Sequence, residues 1–262
     1  MPYRRVTKVT ENVGARTIEL VEGLGRVAQL GLETVSGILR GKTKLKLTLD
    51  QMVKVGYESI PLALTASAFV GMVFAVQIAT EFVKFGAGKF VGGVMAIAMA
   101  RELGPALVGI VIAARVAAAI AAEIGTMEVT EQIDALKALG SNPVRYLVIP
   151  RFIASATMLP LLTIGSIVVG FIGGYAVAVT VVHINPVEYM ETARSLLNVW
   201  DIWGGLLKTV FFGMMIAIIA CYKGLNTEGG AKGVGESTTS SVVTSLISLF
   251  VVNYFLSIAF FK

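Results

Sequence analysis

Long uncharged stretches dominate the hydrophobic pattern of this chain. Three of them, 59–80, 152–187 and 237–261, contain no Asp, Glu, Lys or Arg. Each exceeds the roughly 20 residues that a helix needs to cross about 30 Å of hydrocarbon. A helix buried in a soluble protein can also be uncharged, but three such runs in one chain favour membrane spans.

Two further apolar runs carry isolated charges. The run 90–122 contains Arg101, Glu102 and Arg115, and the run 202–222 contains Lys208. We interpret both runs as spans whose charges are functional. The sequence therefore predicts an all-α integral membrane protein with five transmembrane helices, at about 59–80, 90–122, 152–182, 202–222 and 237–261.

The N-terminal region has a different pattern, with apolar residues at helical spacing between charges and glycines. These residues are Val13, Ile18, Val21, Leu24, Val27 and Leu30. The spacing predicts an amphipathic helix that lies on the membrane surface, although a packed soluble helix would show the same pattern. We therefore divide the chain into an interfacial segment, 1–50, and a transmembrane domain, 51–262.

Composition supports this picture, and the placement of charge predicts an orientation. Only 15% of the residues are charged, and the mean hydropathy is +0.79, whereas a soluble domain is about a quarter charged. Ten Lys and Arg residues lie within 1–58, which places the N-terminus in the cytoplasm and, with five spans, the C-terminus outside. The loops 123–151 and 223–236 are then cytoplasmic. We read the net charge of +5 as orientation, not as nucleic-acid binding.

The segment Ala100–Pro105 places two charges deep inside the second predicted span. If that span enters near Phe90, Arg101 and Glu102 lie about 16–18 Å inside, at 1.5 Å per residue. Charges at that depth need partners or a wet cavity. Pro105 also leaves the Arg101 carbonyl without its usual helical donor, so the segment reads as a polar break. A span shifted along the chain would instead bring the pair to an interface.

Lys208 is a candidate partner for Glu102. We hypothesise that the two side chains face one internal cavity and balance each other's charge. The alternative is that the Lys208 side chain snorkels to the outer surface.

A second informative segment, 123–140, lies in the loop between the second and third spans. Acidic residues come early, Lys137 comes late and Gly140 follows, an order that suits a helix with a glycine stop. Ile133, Leu136 and Leu139 recur at helical spacing. The segment predicts a short amphipathic helix that docks a cytosolic partner, and the clustered acids disfavour the alternative of a helix lying on anionic lipid.

No catalytic machinery is evident. The segment 37–43 is one residue too short for a phosphate loop, and 86–90 lacks the required Ser or Thr. One His and one Cys disfavour a metal site and exclude an internal disulfide. We therefore predict a non-enzymatic chain with no catalytic residues, no bound metal and no ATP site of its own.

The motifs in this order resemble the MlaE/YrbE family, the permease subunit of a bacterial ABC lipid transporter. The stretches that carry the resemblance are Ala100–Pro105, Ala114–Val116, Ala121–Met127, Thr130–Leu136, Asn142–Arg145, Ile149–Arg151 and Leu159–Leu162. The resemblance covers nearly the whole chain, and the set of motifs is specific although each one alone is weak.

The resemblance implies an assembly in the bacterial inner membrane. The permease acts as a homodimer, pairs with two cytosolic ATPase subunits that bind ATP and Mg, and meets a ring of MCE-domain lipid-binding proteins on the periplasmic side. A STAS-domain subunit often joins the ATPase. The substrate class is phospholipid, moved between the inner and outer membranes to maintain outer-membrane lipid asymmetry, and no nucleic acid is involved.

The resemblance also implies site residues. The lipid cavity is expected to include Glu102, Lys208, Arg101, Leu103, Phe74, Gln77, Ile78, Phe82 and Phe85. The helix that couples to the ATPase is expected to span Glu128–Leu139 and to present Glu128, Thr130, Glu131, Gln132, Ile133, Asp134, Leu136, Lys137 and Leu139.

Two other functions fit parts of the sequence. An ion-coupled secondary transporter would use Glu102 as its titrating group, but the odd number of spans fits poorly with two inverted halves. A non-transporting membrane scaffold would tolerate neutralisation of Glu102 and Lys208.

Overall fold

The computed structural model describes residues 3–41 and 43–262, and within them it contains helices and no strand. Five helical segments are long and apolar enough to cross a membrane, which confirms the predicted number of spans. They are Leu45–Lys84, Gly88–Val129, Val144–Thr180, Val199–Leu225 and Gly230–Phe261, and we refer to them as the first to fifth spans. The spans extend beyond the predicted bounds because the helices continue into polar flanking sequence.

The first helix, α1 (Tyr3–Leu39), covers the region with the amphipathic pattern. Val27 and Leu30 pack against the hydrophobic core, whereas Ile18, Val21 and Leu24 are exposed. The side chain of Val13, residues 1–2 and Lys42 lie outside the described part of the chain. An exposed apolar face is what a helix on a membrane surface would present to lipid, and the surface position itself stays a prediction.

The first span consists of two helices with a short 3-10 turn between them. These are α2 (Leu45–Val55) and α3 (Ile60–Lys84), where Pro61 occupies the first helical turn and needs no N–H partner. The boundary predicted at residue 50 therefore falls inside α2, which packs against the third span.

The second span changes its helical winding twice. Its α-helical parts are α4 (Val91–Ala98), α5 (Gly104–Ile112) and α6 (Ala118–Val129). Two π-helical turns, Met99–Leu103 and Ala113–Ala117, separate them. Such turns are rare, free backbone carbonyls and occur often at functional sites.

After the second span, the chain forms α7 (Gln132–Ala138), then a third π-helical turn, Val144–Val148, and then α8 (Ile149–Thr180). Pro150 lies in the first α-helical turn of the third span, where its missing N–H needs no helical partner. The fourth span is α10 (Val199–Leu225), and the fifth is α11 (Gly230–Phe261).

The segment 183–201, which connects the third and fourth predicted spans, contains a helix of its own, α9 (Pro186–Leu196). Asn185 caps this helix, accepting a hydrogen bond from the Val187 N–H at 2.9 Å, and Pro186 is pre-organised for the first turn. Tyr189 is fully buried beneath α4, and its ring contacts those of Phe171 and Tyr175. This burial raises the pKa of the Tyr189 hydroxyl far above its usual value.

Two hydrophobic clusters form the core. The larger joins α1 and α2 to the last four spans, and the smaller joins α3, α4, α8 and α9. The first and third spans cross closely at Gly71 and Gly170, where a Cβ on Gly71 would collide with the Gly170 carbonyl. Small residues at such crossings let helix backbones approach each other within a membrane.

Candidate functional site

The π-helical turn Met99–Leu103 presents the two mid-span charges. Pro105 cannot donate to the Arg101 carbonyl, and the Lys208 ammonium donates to that carbonyl instead, at 2.9 Å. The predicted polar break is therefore a change of helical winding, and a side chain from the fourth span satisfies the freed carbonyl.

Lys208 is completely buried, and all three of its N–H donors have partners. They are the Arg101 carbonyl, Glu102 Oε1 at 2.6 Å and Ser257 Oγ at 2.7 Å. The structure thus pairs Glu102 with Lys208, and the Lys208 side chain does not snorkel to the surface. The Glu102 side chain is 42% exposed, so a ligand can reach the carboxylate but not the ammonium behind it.

The fifth span supplies the remaining partners of Glu102. Asn253 Nδ2 donates to Glu102 Oε2 at 3.1 Å, and Ser257 Oγ lies 2.8 Å from Glu102 Oε1. Neither residue was identified from the sequence. Asn253 and Ser257 lie four residues apart in the mostly apolar C-terminal part of this span, and that spacing was the signal that could have identified them.

Arg101 points to the other side of the turn and binds Asp201 at the start of α10. The Arg101 Nε and Nη2 atoms each lie 2.8 Å from Asp201 Oδ1. Asp201 Oδ2 also accepts the Asn198 N–H in a capping box, so this buried carboxylate both starts the helix and holds the arginine. Asp201 was not identified from the sequence, although Asn198 and an acid three residues later match the capping-box pattern.

One aromatic ring lies against both cations. The Phe261 ring centroid is 4.9 Å from Arg101 Cζ and 5.0 Å from Lys208 Nζ, within cation–π range. Beside it, a groove of about 580 Å³ opens between Arg101, Asp201, Trp200 and the C-terminal residues. We refer to Arg101, Glu102, Asp201, Lys208, Asn253, Ser257 and Phe261 together as the mid-span network.

The other residues expected in the lipid cavity, one polar and the rest apolar, separate into two groups. Leu103, Phe74, Ile78 and Phe82 pack against the smaller hydrophobic cluster, next to the mid-span network because Leu103 shares its π-helical turn. Gln77 and Phe85 lie exposed on α3 and just after it. Whether these residues line a lipid cavity stays a prediction.

The helix predicted over Glu128–Leu139 is shorter than expected, and this prediction was wrong in its bounds. Glu128 belongs to the end of α6, Glu131 adopts a left-handed backbone conformation with φ 59°, and α7 contains only Gln132–Ala138. Two acids expected in its first turns, Glu128 and Glu131, therefore lie outside α7, and Thr130 lies in the turn between the helices.

The end of α7 follows the predicted glycine stop. Gly140 has φ 72°, its N–H donates to the Lys137 carbonyl, and the Ser141 N–H donates to the Leu136 carbonyl, a Schellman arrangement. Ile133 and Leu136 pack against the larger cluster, whereas Gln132, Asp134, Lys137 and Leu139 are exposed. The hydrogen bond that Lys137 donates to Asp134 raises the pKa of Lys137.

A second set of charges lies nearer the opposite end of the second span. Arg115, in the π-helical turn Ala113–Ala117, donates to the Lys54 carbonyl, to Ser59 Oγ and to Glu58 Oε2 at 2.9, 2.7 and 2.6 Å. This arginine therefore fastens the second span to the junction between α2 and α3.

Glu123 extends this set to the third span. Its carboxylate accepts from Lys54 Nζ at 3.2 Å and from Arg151 Nη2 at 2.8 Å. The Arg151 side chain is only 4% exposed, whereas that of Lys54 is 52% exposed. We refer to Lys54, Glu58, Ser59, Arg115, Glu123 and Arg151 as the inner network, of which only Arg115 was identified from the sequence as a functional charge. Among the described residues, no group of three or more His, Cys, Asp or Glu residues could hold a metal ion.

Comparisons with a family model and with individual known proteins agree on one permease family. The permease MlaE family matches residues 48–259, which include α7, the inner network and every member of the mid-span network except Phe261. A probable ABC transporter permease protein of Synechocystis is 49% identical over 225 residues, covering 86% of each chain. A probable ABC transporter permease protein of Rickettsia felis is 40% identical over 97% of this chain and 98% of its own length.

A plant protein also matches. The chloroplastic protein TRIGALACTOSYLDIACYLGLYCEROL 1 of Arabidopsis thaliana is 43% identical over 88% of this chain and 66% of its own length. With a family match over most of the sequence and bacterial relatives this similar along most of their lengths, the chain belongs to the MlaE permease family.

Proposed function

We propose that this chain is the permease subunit of an ATP-driven ABC transporter that moves phospholipids between the inner and outer membranes of a bacterium. The observation that carries the proposal is the mid-span network. It exposes one arginine and one carboxylate inside an apolar span and fixes both through buried partners. Family membership and the names of the relatives support the ABC transporter class.

The chemistry of the network suits an amphipathic substrate. Arg101 is one-third exposed beside the groove of about 580 Å³, so its guanidinium can bind a phosphate oxygen. The neighbouring aromatic and aliphatic cluster of Phe74, Ile78, Phe82 and Leu103 offers a surface for acyl chains. We expect Lys208 to position Glu102 and the Arg101 backbone without touching the lipid, because its donors are already used.

The proposed assembly follows from the same family. Two copies of the chain form the membrane unit, cytosolic ATPase subunits that bind ATP and Mg dock at α7, MCE-domain proteins bind on the periplasmic side, and a STAS-domain subunit joins the ATPase. Ile133 and Leu136 fix α7 to the core, so the opposite face of the helix is free to contact a partner. We propose the bacterial inner membrane as the location.

The test combines composition with transport. The tagged chain is purified with its native partners, and mass spectrometry identifies the bound subunits and lipid. The complex is then reconstituted in donor vesicles that contain fluorescent phospholipid, and transfer of this lipid to unlabelled acceptor vesicles is followed. We expect co-purified ATPase subunits and ATP-dependent transfer, which Arg101→Gln lowers by about tenfold, the equivalent of one strong polar contact.

Arg194→Gln, at an exposed arginine on α9, is the matched control and should leave transfer unchanged. Transport by the chain alone, driven by an ion gradient and without any nucleotide-hydrolysing subunit, would contradict the proposal. It would favour a secondary transporter that titrates Glu102.

A further inference from the structure

A large apolar groove lies outside the mid-span network, between α1, α8, α10 and α11. Its volume is about 920 Å³, and its walls include Phe152, Phe211, Met214 and Met215. Methionine and aromatic side chains form adaptable apolar walls, which suit flexible hydrocarbon chains better than a rigid ligand.

The length of the groove is close to the hydrocarbon thickness of one membrane leaflet. Along α10 it extends from Lys223 to Phe211, twelve residues or about 18 Å of helix. Half of a hydrocarbon core of about 30 Å is about 15 Å, close to the reach of a phospholipid acyl chain. Phe211 lies one turn from Lys208, and Val252 in the groove precedes Asn253. The groove therefore ends next to the mid-span network.

The charged side chains that line the groove are both basic, although Glu22, outside the lining, lies 3.8 Å from Arg26 in an exposed pair. Arg26 from α1 and Lys223 from the last turn of α10 both contribute to its lining, and no acidic side chain of the described residues does so. Long basic side chains extend from apolar surfaces toward headgroups and attract anionic lipids. Tyr222, beside Lys223, adds a hydroxyl to the lining.

We propose that this groove binds one anionic phosphoglyceride from the leaflet that holds α1, with its acyl chains in the groove and its phosphate on Arg26 and Lys223. The inference rests on the proposed function for the orientation, which makes this the cytoplasmic leaflet. The groove is a second lipid site that shares no lining residue with the mid-span network, although one of its ends lies next to that network.

The test uses the full chain in nanodiscs, without nucleotide or partner subunits. The discs are made of phosphatidylcholine that contains a trace of phosphatidylglycerol with a photoreactive acyl chain. Mass spectrometry compares cross-links at Phe211, Met214 and Met215 with cross-links at Phe255, an exposed residue of α11 that serves as internal standard. The same probe with a phosphatidylcholine headgroup measures charge preference.

Gly31 lines the groove, and a Cβ there meets no atom within 4 Å. The variant Gly31→Trp is therefore chosen to obstruct the groove. We expect this variant to lower the groove cross-links by about tenfold relative to Phe255. Gly25→Trp is the matched control, because Gly25 lies on the same helix with equally open surroundings but not in the groove, and it should change nothing.

A separate variant tests the charges. Arg26→Gln combined with Lys223→Gln should reduce the preference for the anionic probe by roughly fivefold for each cation removed. The inference would be overturned if both lipid probes labelled the groove residues equally and if Gly31→Trp left that labelling unchanged. A protein–protein cross-linker added to the same nanodiscs provides a second check. If it joined groove residues of two copies of the chain, the inference would be overturned, because a second copy would then fill the groove. Lipid transfer is not measured here, so a failure of the transport proposal would not resemble either outcome.

Discussion

At the scale of single residues, Lys208 shows how a cation is held inside an apolar span. A buried ammonium costs the fold a large desolvation free energy unless each of its donors finds an acceptor. Here three different spans contribute: the fourth supplies the lysine, the second a carbonyl and a carboxylate, and the fifth a hydroxyl. The ion pair therefore connects three spans, and it also forms part of the proposed substrate site.

The two partners of this pair should not contribute equally to stability. Glu102→Ala leaves a fully buried ammonium without its carboxylate, so the free energy of unfolding should fall by about 3–5 kcal/mol. Lys208→Met should cost less, because Glu102 is partly exposed and keeps its bond from Asn253. Thermal unfolding of the purified variants in one detergent measures the difference. A lower melting temperature for Lys208→Met than for Glu102→Ala would contradict this interpretation.

Part of the mid-span network could be predicted from the sequence, and part could not. Arg101, Glu102 and Lys208 stand out as charges inside apolar runs, and Pro105 indicates the unpaired carbonyl. Asp201, Asn253 and Ser257 bind residues that lie 100, 151 and 155 positions away in the chain. The polarity of these three residues is visible in the sequence, but which residues they contact depends on how the spans pack, and the pattern of a single span carries no information about that packing.

At the scale of helices, hydrophobic length predicted the spans, whereas local backbone geometry decided their ends and interruptions. The acids before α7 suggested one continuous helix, but the left-handed conformation of Glu131 divides α6 from α7. The helix α9 was missed because its apolar residues are interspersed with polar and charged ones, so it does not form an uncharged run. The Asn185–Pro186 start signal was present in the sequence.

Close crossing of the first and third spans leads to a prediction at this scale. Gly71→Ala places a methyl group against the Gly170 carbonyl, and it should lower the free energy of unfolding by about 1–3 kcal/mol or more through overpacking. Gly165→Ala is the matched control in the third span, since its Cβ would meet only the flexible end of Leu64, at 3.0 Å. Alanine also favours the helix by about 1 kcal/mol over glycine.

Size-exclusion profiles and melting temperatures of the two variants would provide the measurement. We expect Gly165→Ala to match or exceed the unmodified chain, and Gly71→Ala to give less folded protein. Equal behaviour of both variants would mean that the crossing tolerates separation of the two spans.

At the scale of the whole molecule, two charged networks connect the second span to its neighbours at different depths. Arg101 and Arg115, fourteen residues or about 21 Å apart along the helix, each project from a π-helical turn into a charged network. The mid-span network joins the second span to the fourth and fifth, and the inner network joins it to the first and third. Every span is thus tied by polar bonds to the second.

The inner network gives a whole-molecule prediction. Glu123→Gln removes the carboxylate from the buried Arg151 and should lower the free energy of unfolding by about 3 kcal/mol. Lys54→Gln breaks an exposed pair with the same carboxylate and should cost less than about 1 kcal/mol. The double variant Glu123→Gln with Arg151→Met should recover part of the loss, because no buried charge is left unpaired.

Chemical unfolding of these three variants and of the single variant Arg151→Met in mixed micelles supplies these values. Additive losses in the double variant would show that Glu123 and Arg151 do not depend on each other, contrary to the 2.8 Å contact between them.

The fifth span is the least buried of the five, yet it carries Asn253 and Ser257. These residues are four positions apart and lie on one face of α11. A small rotation of α11 about its axis would therefore withdraw both hydrogen bonds from Glu102 in a single step. Because α11 is the least buried span, we expect its rotation angle to set how firmly the Glu102 carboxylate is held.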